Sequence, residues 1–498
     1  MRDQFATVSA LHCGRERRDS NPRRLFTSAV FKTAAINRSA TLPESATAFG
    51  HLGHRAKHCF RAHRKRVGQE SSLVCAIAQA PLLLKPRWGM LGRALLWSRI
   101  VRELQSLSDL TLRSGDLADP LYGELTAGLA ESSGLHPTSL ERLVALWAAG
   151  WQLLDLERAL RRGLGSHPGA SRPIGHVAIV APGNLCVATW QAIAEALLVG
   201  NRVSVRPGSG DPLAARNFQA ALRLVDPGLA ERLTIQEFAR GDRAAWTHWL
   251  HSADALLVYG GDAAIAAVLQ FASAAGFTGR LRLHGHYQSI GVLASDVLAD
   301  PKALQAAAAG WAVDALLADG RGCMSLRALW LVGPIDAAGR ALVQATLARE
   351  FARVAALLPA GQVDPAAQAR MQLQVETHAF AAAVQGNCWL ERGGDWAILG
   401  AHGPIPAQAQ ATGHGGRALT VYEAVDGSDL QRQLAPWRRR LSTASVALDA
   451  DRFQLLDVLD RLGVHRHCAP GAMQAPRADR APDGHVPFAA LVRLTDRQ

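Results

Sequence analysis

Three times between residues 177 and 275, a short strand-like run ends at a glycine-bearing loop and gives way to a helical pattern. Val177–Ala181 stops at Pro182-Gly183-Asn184, and a helix is predicted from about Leu185 to Val199, closed by Gly200. Arg202–Arg206 stops at Pro207-Gly208-Ser209-Gly210, after which Asp211-Pro212 supplies an N-cap and a first-turn proline. Ala255–Tyr259 stops at Gly260-Gly261-Asp262, ahead of an alanine-rich helix over 263–275. This alternation requires an α/β fold, a parallel sheet covered by helices. Ligands on such sheets sit beyond the carboxyl ends of the strands. The loops at 182–184, 207–211 and 260–262 should therefore gather near one edge.

Upstream, Leu96, Ile100, Leu104 and Leu107 share one helical face. A second helix is predicted from Thr138-Ser139-Leu140-Glu141, a capping-box spacing, to Gly163. Its apolar face carries Leu140, Leu143, Val144, Trp147, Trp151 and Leu154. Downstream, a break near Ala299-Asp300-Pro301 precedes a helix over 302–318, a loop, a strand at 327–332 and a helix near 337–356. Residues 357–430 are rich in Gly, Ala and Gln and show no clear pattern, and Gly413-His414-Gly415-Gly416 reads as a mobile loop. The tryptophans at 147, 151, 246, 249 and 311 fall on helical faces and read as core.

The net charge of +12 would fit a nucleic-acid-binding protein if it were spread over the fold. It is not. Residues 1–89 hold 16 Lys/Arg against 5 Asp/Glu, leaving 38 against 37 for the other 409. The basic leader includes Arg15-Glu16-Arg17-Arg18, Asn21-Pro22-Arg23-Arg24 and His63-Arg64-Lys65-Arg66, without the apolar core of a secretory signal. It is a solvated tail, a transit-like segment or sequence upstream of a start at Met90; the last is favoured, because Met90 directly precedes the first patterned helix. No apolar run approaches the roughly 20 residues of a membrane span. Seven scattered cysteines, at 13, 59, 75, 186, 323, 388 and 468, give neither a disulfide framework nor zinc-ligand spacing, and they fit a reducing cytoplasm. His248/His251 and His465/His467 lack carboxylates at ligand spacing, so no metal is expected.

Cys323 stands apart from the other six. It lies in Asp319-Gly320-Arg321-Gly322-Cys323-Met324-Ser325, a glycine-flanked loop ahead of the run Ala328–Val332. Such a loop can present a thiol at a site, and Arg321, if turned toward the sulfur, would favour the nucleophilic thiolate.

The order of these pieces resembles the aldehyde dehydrogenase superfamily and, within it, the LuxC-type acyl-CoA reductases (fatty acid reductases). The resemblance spans roughly residues 95–498 and rests on four stretches: Gly175–Asn184, Ala196–Pro207, Val258–Ile265 and Gly322-Cys323-Met324-Ser325. It implies an aldehyde-dehydrogenase-like α/β fold with a parallel-sheet cofactor domain, an α/β catalytic domain and a helical N-terminal layer. The expected organisation is a leader at 1–89, the helical layer at 90–170 and the cofactor domain at 171–300. The catalytic domain would follow at 301–430, and 431–498 would return to the cofactor domain.

The resemblance also implies roles. Cys323 would attack an acyl thioester, and Asn184 with the backbone N–H of Cys323 would hold the oxyanion. Pro182, Gly183, Arg206, Pro207, Ser209, Gly260 and Gly261 would line the cofactor, with Asp262 capping the next helix. Arg206 stands where the superfamily usually has lysine, and its planar fork suits a 2′-phosphate, so NADPH is expected over NADH. Hydrolytic relatives carry a glutamate where this chain reads Leu281–Ser289, which holds no carboxylate. Without that base, water attack on an acyl-enzyme should be slow. His286, in the same stretch, is a candidate proton donor. The family often has a basic residue where Tyr287 stands and a proline where Leu326 stands, and its Glu-x-Phe-Gly-Pro segment has no clear match here. Asp483-Gly484-His485 resembles the family's closing region and is assigned no catalytic role.

The expected function is reduction of acyl-CoA, or another acyl thioester, to an aldehyde. The alternatives are oxidation of an aldehyde and a non-catalytic member serving a biosynthetic complex. The expected partners are an acyl-transferase or synthetase protein and further copies of the chain, with no nucleic acid.

Overall fold

In a computed structural model, the described residues are 90–164, 171–362, 365–386, 388–401, 416–448 and 453–495, with side chains from Arg102 onward. A short strand, β1 (Ser171–Pro173), leads into β2 (His176–Val180), β3 (Arg202–Arg206), β4 (Leu233–Ile235), β5 (Ala255–Tyr259) and β6 (Arg280–His284). The last five form a wholly parallel sheet in the order β4-β3-β2-β5-β6. Val177, Ala178 and Ile179 of β2 and Ala255–Val258 of β5 are buried, as strands covered on both faces require. The chain builds outward from β2 on one side and then from β5 on the other. A crevice therefore opens between their carboxyl ends.

Gly285–Tyr287 carries the chain from β6 to β7 (Gln288–Ala294) in a second sheet. Its other strands are β8 (Leu326–Val332), β9 (Cys388–Arg392), β10 (Ala397–Ala401), β11 (Ala418–Ala424), β12 (Leu441–Ala447) and β13 (Arg466–Cys468), in the order β13-β12-β7-β8-β11-β10-β9. All neighbours are parallel except β9 with β10. Finally, β14 (Val492–Leu494) pairs antiparallel with β1. The helix Pro365–Gln385 and strands β9–β11 fill the stretch that had no clear pattern. Of the expected mobile loop, Gly413–Gly415 lies outside the described residues.

The helices of the N-terminal layer, led by Met90–Ser114, pack on helices Cys186–Leu198 and Ala214–Val225 of the first sheet. The helix expected to run to Gly163 breaks into Pro137–Gly150 and Leu153–Leu164. The C-terminal segment docks at the break: Ala478 N–H donates to the Gly150 carbonyl at 2.9 Å, and a Cβ on Gly150 would lie 2.7 Å from the Pro476 oxygen. Leu154, placed on the apolar face by the uninterrupted period, is 56% exposed as a result. The cap differs too. His136 Nδ1 accepts from Thr138 N at 3.2 Å, with Pro137 in the first turn, in place of a Thr138/Glu141 box. The five singled-out tryptophans are all buried.

Asp314 ties the C-terminal segment to helix Pro301–Leu316. Its fully buried carboxyl accepts from Gly471 N at 2.7 Å and Met473 N at 3.0 Å. Burial pushes this carboxyl up to about 7, while the two N–H donors favour its charged form. Asp314→Ala strands both donors at a cost of about 1–3 kcal/mol each. Denaturant titration is expected to show that loss in unfolding free energy; an unchanged midpoint would contradict it. Among the described residues, no helix is long and apolar enough to cross a membrane.

Candidate active site

A cavity of about 360 Å³ lies where the crevice of the first sheet meets the leading edge of the second. Pro182, Gly183 and Asn184 reach it from the loop after β2, and Gly260 and Gly261 from the loop after β5. His284 at the end of β6 and Gly285–Tyr287 in the connection to β7 also line it. Cys323 enters from the loop before β8, and Gln474, Arg480 and Asp483 from the C-terminal segment.

The Cys323 loop is positioned by a strained turn. Ala318, Asp319 and Gly320 take φ values of 55°, 54° and 62°, left-handed backbone in which non-glycine residues are uncommon. A Cβ on Gly320 would also lie 2.4 Å from the Gly416 oxygen. Asp319, 2% exposed, holds the turn by accepting from Gly361 N at 3.3 Å and facing Arg417 at 3.6 Å. Three further bonds fix the loop. The Ser289 hydroxyl donates to the Cys323 carbonyl at 2.8 Å, Gln474 to the Ser325 hydroxyl at 2.8 Å, and Asn184 Nδ2 to the Arg321 carbonyl at 2.9 Å.

Cys323 is exposed, in contrast to the buried Cys186. It lines the cavity with residues of both sheets and of the C-terminal segment. The desolvation of that site, aided by the charge of Asp483, pushes the thiol up to about 11. Arg480, the residue's own backbone N–H and Arg327 oppose the rise. The expectation that Arg321 supplies the favouring charge is corrected here. Its guanidinium turns away to the carbonyls of Ser133 and Gln362 and to Asp319 at 3.5 Å. Cys323 is thereby held toward its thiol form.

Asn184 is half-buried and directed at the Cys323 loop. An amide nitrogen has two hydrogens, and one is engaged by Arg321. His286 is exposed at the cavity wall. The loop at 207–210 does gather against the loop at 182–184. A Cβ on Gly208 would lie 2.6 Å from Gly183 N, and one on Gly210 would lie 2.3 Å from the Gly183 oxygen. Arg206, half-buried Pro207 and exposed Ser209 do not line the cavity. Arg206 lies at the end of β3 with its guanidinium over Phe238 and Trp246, 5.2 and 5.3 Å from the ring centroids. It donates to the Phe238 carbonyl at 3.3 Å, and its buried Nε has no partner among the described residues. Asp262 is not the expected cap: Gly261 occupies that position, and Asp262 pairs with Arg440 at 3.1 Å.

Several cavity residues escaped the sequence reading. His284 Nδ1 lies 2.5 Å from Asp483 Oδ2, and its ring stacks on Tyr259 with centroids 4.1 Å apart. Arg282 and Glu195 form a buried ion pair at 3.0 Å, and Glu195 also reaches the cavity wall. Asp483 itself has φ of 48°, a third non-glycine residue in left-handed backbone after Ala318 and Asp319. The one signal available was the Asp483-Gly484-His485 motif, to which no role was given. Its partner His284 lies 199 positions away.

A family model described as acyl-CoA reductase (LuxC) matches residues 161–494. No match is found among the curated proteins. Solved structures share the fold. An NAD-dependent benzaldehyde dehydrogenase from Corynebacterium glutamicum is 14% identical with a TM-score of 0.56, covering 81% of this chain and 86% of its own. A succinic semialdehyde dehydrogenase from Streptococcus pyogenes, solved with NADP+, is 13% identical with a TM-score of 0.56, covering 82% and 96%. Aldehyde dehydrogenase 21 from Physcomitrella patens is 14% identical with a TM-score of 0.57, covering 82% and 85%.

Proposed function

Since the chain belongs to the LuxC acyl-CoA reductase family, we propose that it reduces an acyl thioester to an aldehyde through an acyl group carried on Cys323, with NADPH as reductant. Enzymes of this class are NAD(P)-dependent oxidoreductases acting on acyl and aldehyde groups. The observation that carries the finer reading is the shared cavity, lined together by an exposed cysteine, Asn184 and the glycines after β2 and β5.

The residues fit a dinucleotide. Arg206 offers an unpartnered buried Nε at the carboxyl end of β3, and Gly261 leaves open space where a Cβ would stand. Arg206 and the loop at 207–210 would hold the phosphate-bearing end, and Gly183, Gly260 and Gly261 would let backbone approach the rest. When bound, the cofactor supplies hydride.

The chain's own residues do the remainder. Cys323 Sγ attacks the carbonyl carbon and expels the carrier thiol. Asn184 and the Cys323 backbone N–H hold the oxygen as charge develops on it. His286, exposed at the wall, donates a proton as product leaves. The two carboxylates lining the cavity, Glu195 and Asp483, are committed to Arg282 and His284. That arrangement leaves neither carboxylate free to activate water against the acyl-enzyme.

Intact-mass analysis after mixing with a panel of acyl-CoAs tests the reading. One acyl adduct per chain is expected, discharged as aldehyde on adding NADPH and more slowly with NADH. A protein that no thioester labels would sink it.

A further inference from the structure

His284 is buried at 6% exposure, yet it lines the cavity that Cys323 opens into. Its two nitrogens have different fates. Nδ1 lies 2.5 Å from the Asp483 carboxylate, while Nε2 is buried with no partner among the described residues. An ionised carboxylate only accepts, so Nδ1 carries the hydrogen, and in the neutral ring Nε2 presents a lone pair. Leaving that atom unpaired costs free energy unless something arrives to use it. The orienting group is itself held under strain, with Asp483 in left-handed backbone between Pro482 and Gly484. Its charge reaches the Cys323 sulfur.

We propose that Cys323, His284 and Asp483 form a proton-relay triad, in which His284 Nε2 takes the Cys323 proton during acylation and returns it to the departing carrier thiolate. The assignment rests on the acyl-thioester reading above. The step balances without a redox change. The Sγ–H proton moves to Nε2, and a bond forms from Sγ to the acyl carbon. The bond from that carbon to the carrier sulfur breaks, and the carrier leaves as a thiol with the Nε2 proton. Asp483 keeps the ring in the accepting tautomer and stabilises the transient imidazolium.

The surroundings suit a base at neutral pH. Burial holds His284 below its ordinary value against the opposing pull of Asp483, so the ring is neutral there. Tyr259 from β5, Arg282 with Glu195, and His485 face the ring, and Arg480 and His465 face Asp483. A thiol raised to about 11 is the group that requires such a base.

Rapid-quench acylation of the full chain tests the triad, using the acyl-CoA that labels wild type best, without nicotinamide, from pH 6 to 10. Wild type is expected to show a plateau across neutral pH. His284→Gln is expected to react about a hundredfold more slowly at pH 7 and to gain about tenfold per pH unit, because the thiol must then ionise unaided. Asp483→Asn separates a relay from simple electrostatics. Removing its charge alone would ease thiolate formation and speed acylation, whereas loss of the tautomer slows it. Nicotinamide binding followed by fluorescence checks that both variants fold. A His284→Gln profile as flat and fast as wild type, or an Asp483→Asn variant faster than wild type, overturns the triad. Alkylation of Cys323 by iodoacetamide needs no acyl donor. If no thioester labels wild type, the parent reading fails, and equal alkylation rates in wild type and His284→Gln would overturn the triad separately.

Discussion

Replacing Cys323 with alanine is expected to abolish covalent acylation and to lower the reductase rate by roughly 10⁴-fold or more, the scale seen when a nucleophile is removed. The side chain is exposed and none of the loop's fixing hydrogen bonds passes through its sulfur. The Ser289, Gln474 and Asn184 bonds survive the change, so the loop and the cofactor wall stay in place. Nicotinamide affinity should therefore be unaltered while acyl transfer disappears. Intact-mass analysis and fluorescence titration of the same sample check both halves. A variant that still takes up one acyl group would move the nucleophile elsewhere. Cys186 is a poor substitute, because it is buried and its thiol is held well above the ordinary value by desolvation.

Asn184→Ala is expected to cost about 10²–10³ in the acylation rate, the usual effect of losing one donor to a developing oxyanion. The expected pattern is a fall in kcat with KM little changed, since the interaction strengthens only as charge forms. A second consequence follows from the structure. The amide also donates to the Arg321 carbonyl at 2.9 Å, so the variant loosens the Cys323 loop. Asn184→Asp keeps the size, loses both donors, the one to the Arg321 carbonyl included, and adds a charge opposed to the oxyanion. It should be slower than the alanine variant. An aspartate variant as active as wild type would overturn the oxyanion role of Asn184 and show that its bond to Arg321 is dispensable.

Three strands of the first sheet, β2, β3 and β5, were readable in the sequence because each ends at a glycine-bearing loop, whereas the short β4 and the arginine-bearing β6 were not predicted. Arg202–Arg206 and Ala255–Tyr259 match the observed β3 and β5 end for end. Asn184 and Cys323 were readable for the same reason, each lying in a loop that follows or precedes such a run. Strands β9 and β10 were not. Cys388–Arg392 is half-buried along most of its length, and Ala397–Ala401 sets only Ile398 and Leu399 among alanine and glycine, which are depleted in strands. The interrupted helix at Gly150 was illegible because its cause, the docking of Pro476–Ala478, lies over 300 positions along the chain. His284 and Arg321 went astray on one point. Local spacing puts a side chain near a site, but which neighbour it faces depends on distant backbone. His284 meets a carboxylate from the C-terminal segment, and Arg321 is drawn off by Ser133 and Gln362.

The Cys323 loop belongs to one sheet and the Asn184 amide that steadies it to the other, joined across by the Asn184 bond to Arg321 and by the segment after Ala469. Neither half can be excised as a working catalyst, and splitting the polypeptide at the β6–β7 connection would yield two inert fragments. Gentle heating should silence turnover before the helices melt, because parting the halves by an ångström or two disperses the chemistry while each sheet remains intact.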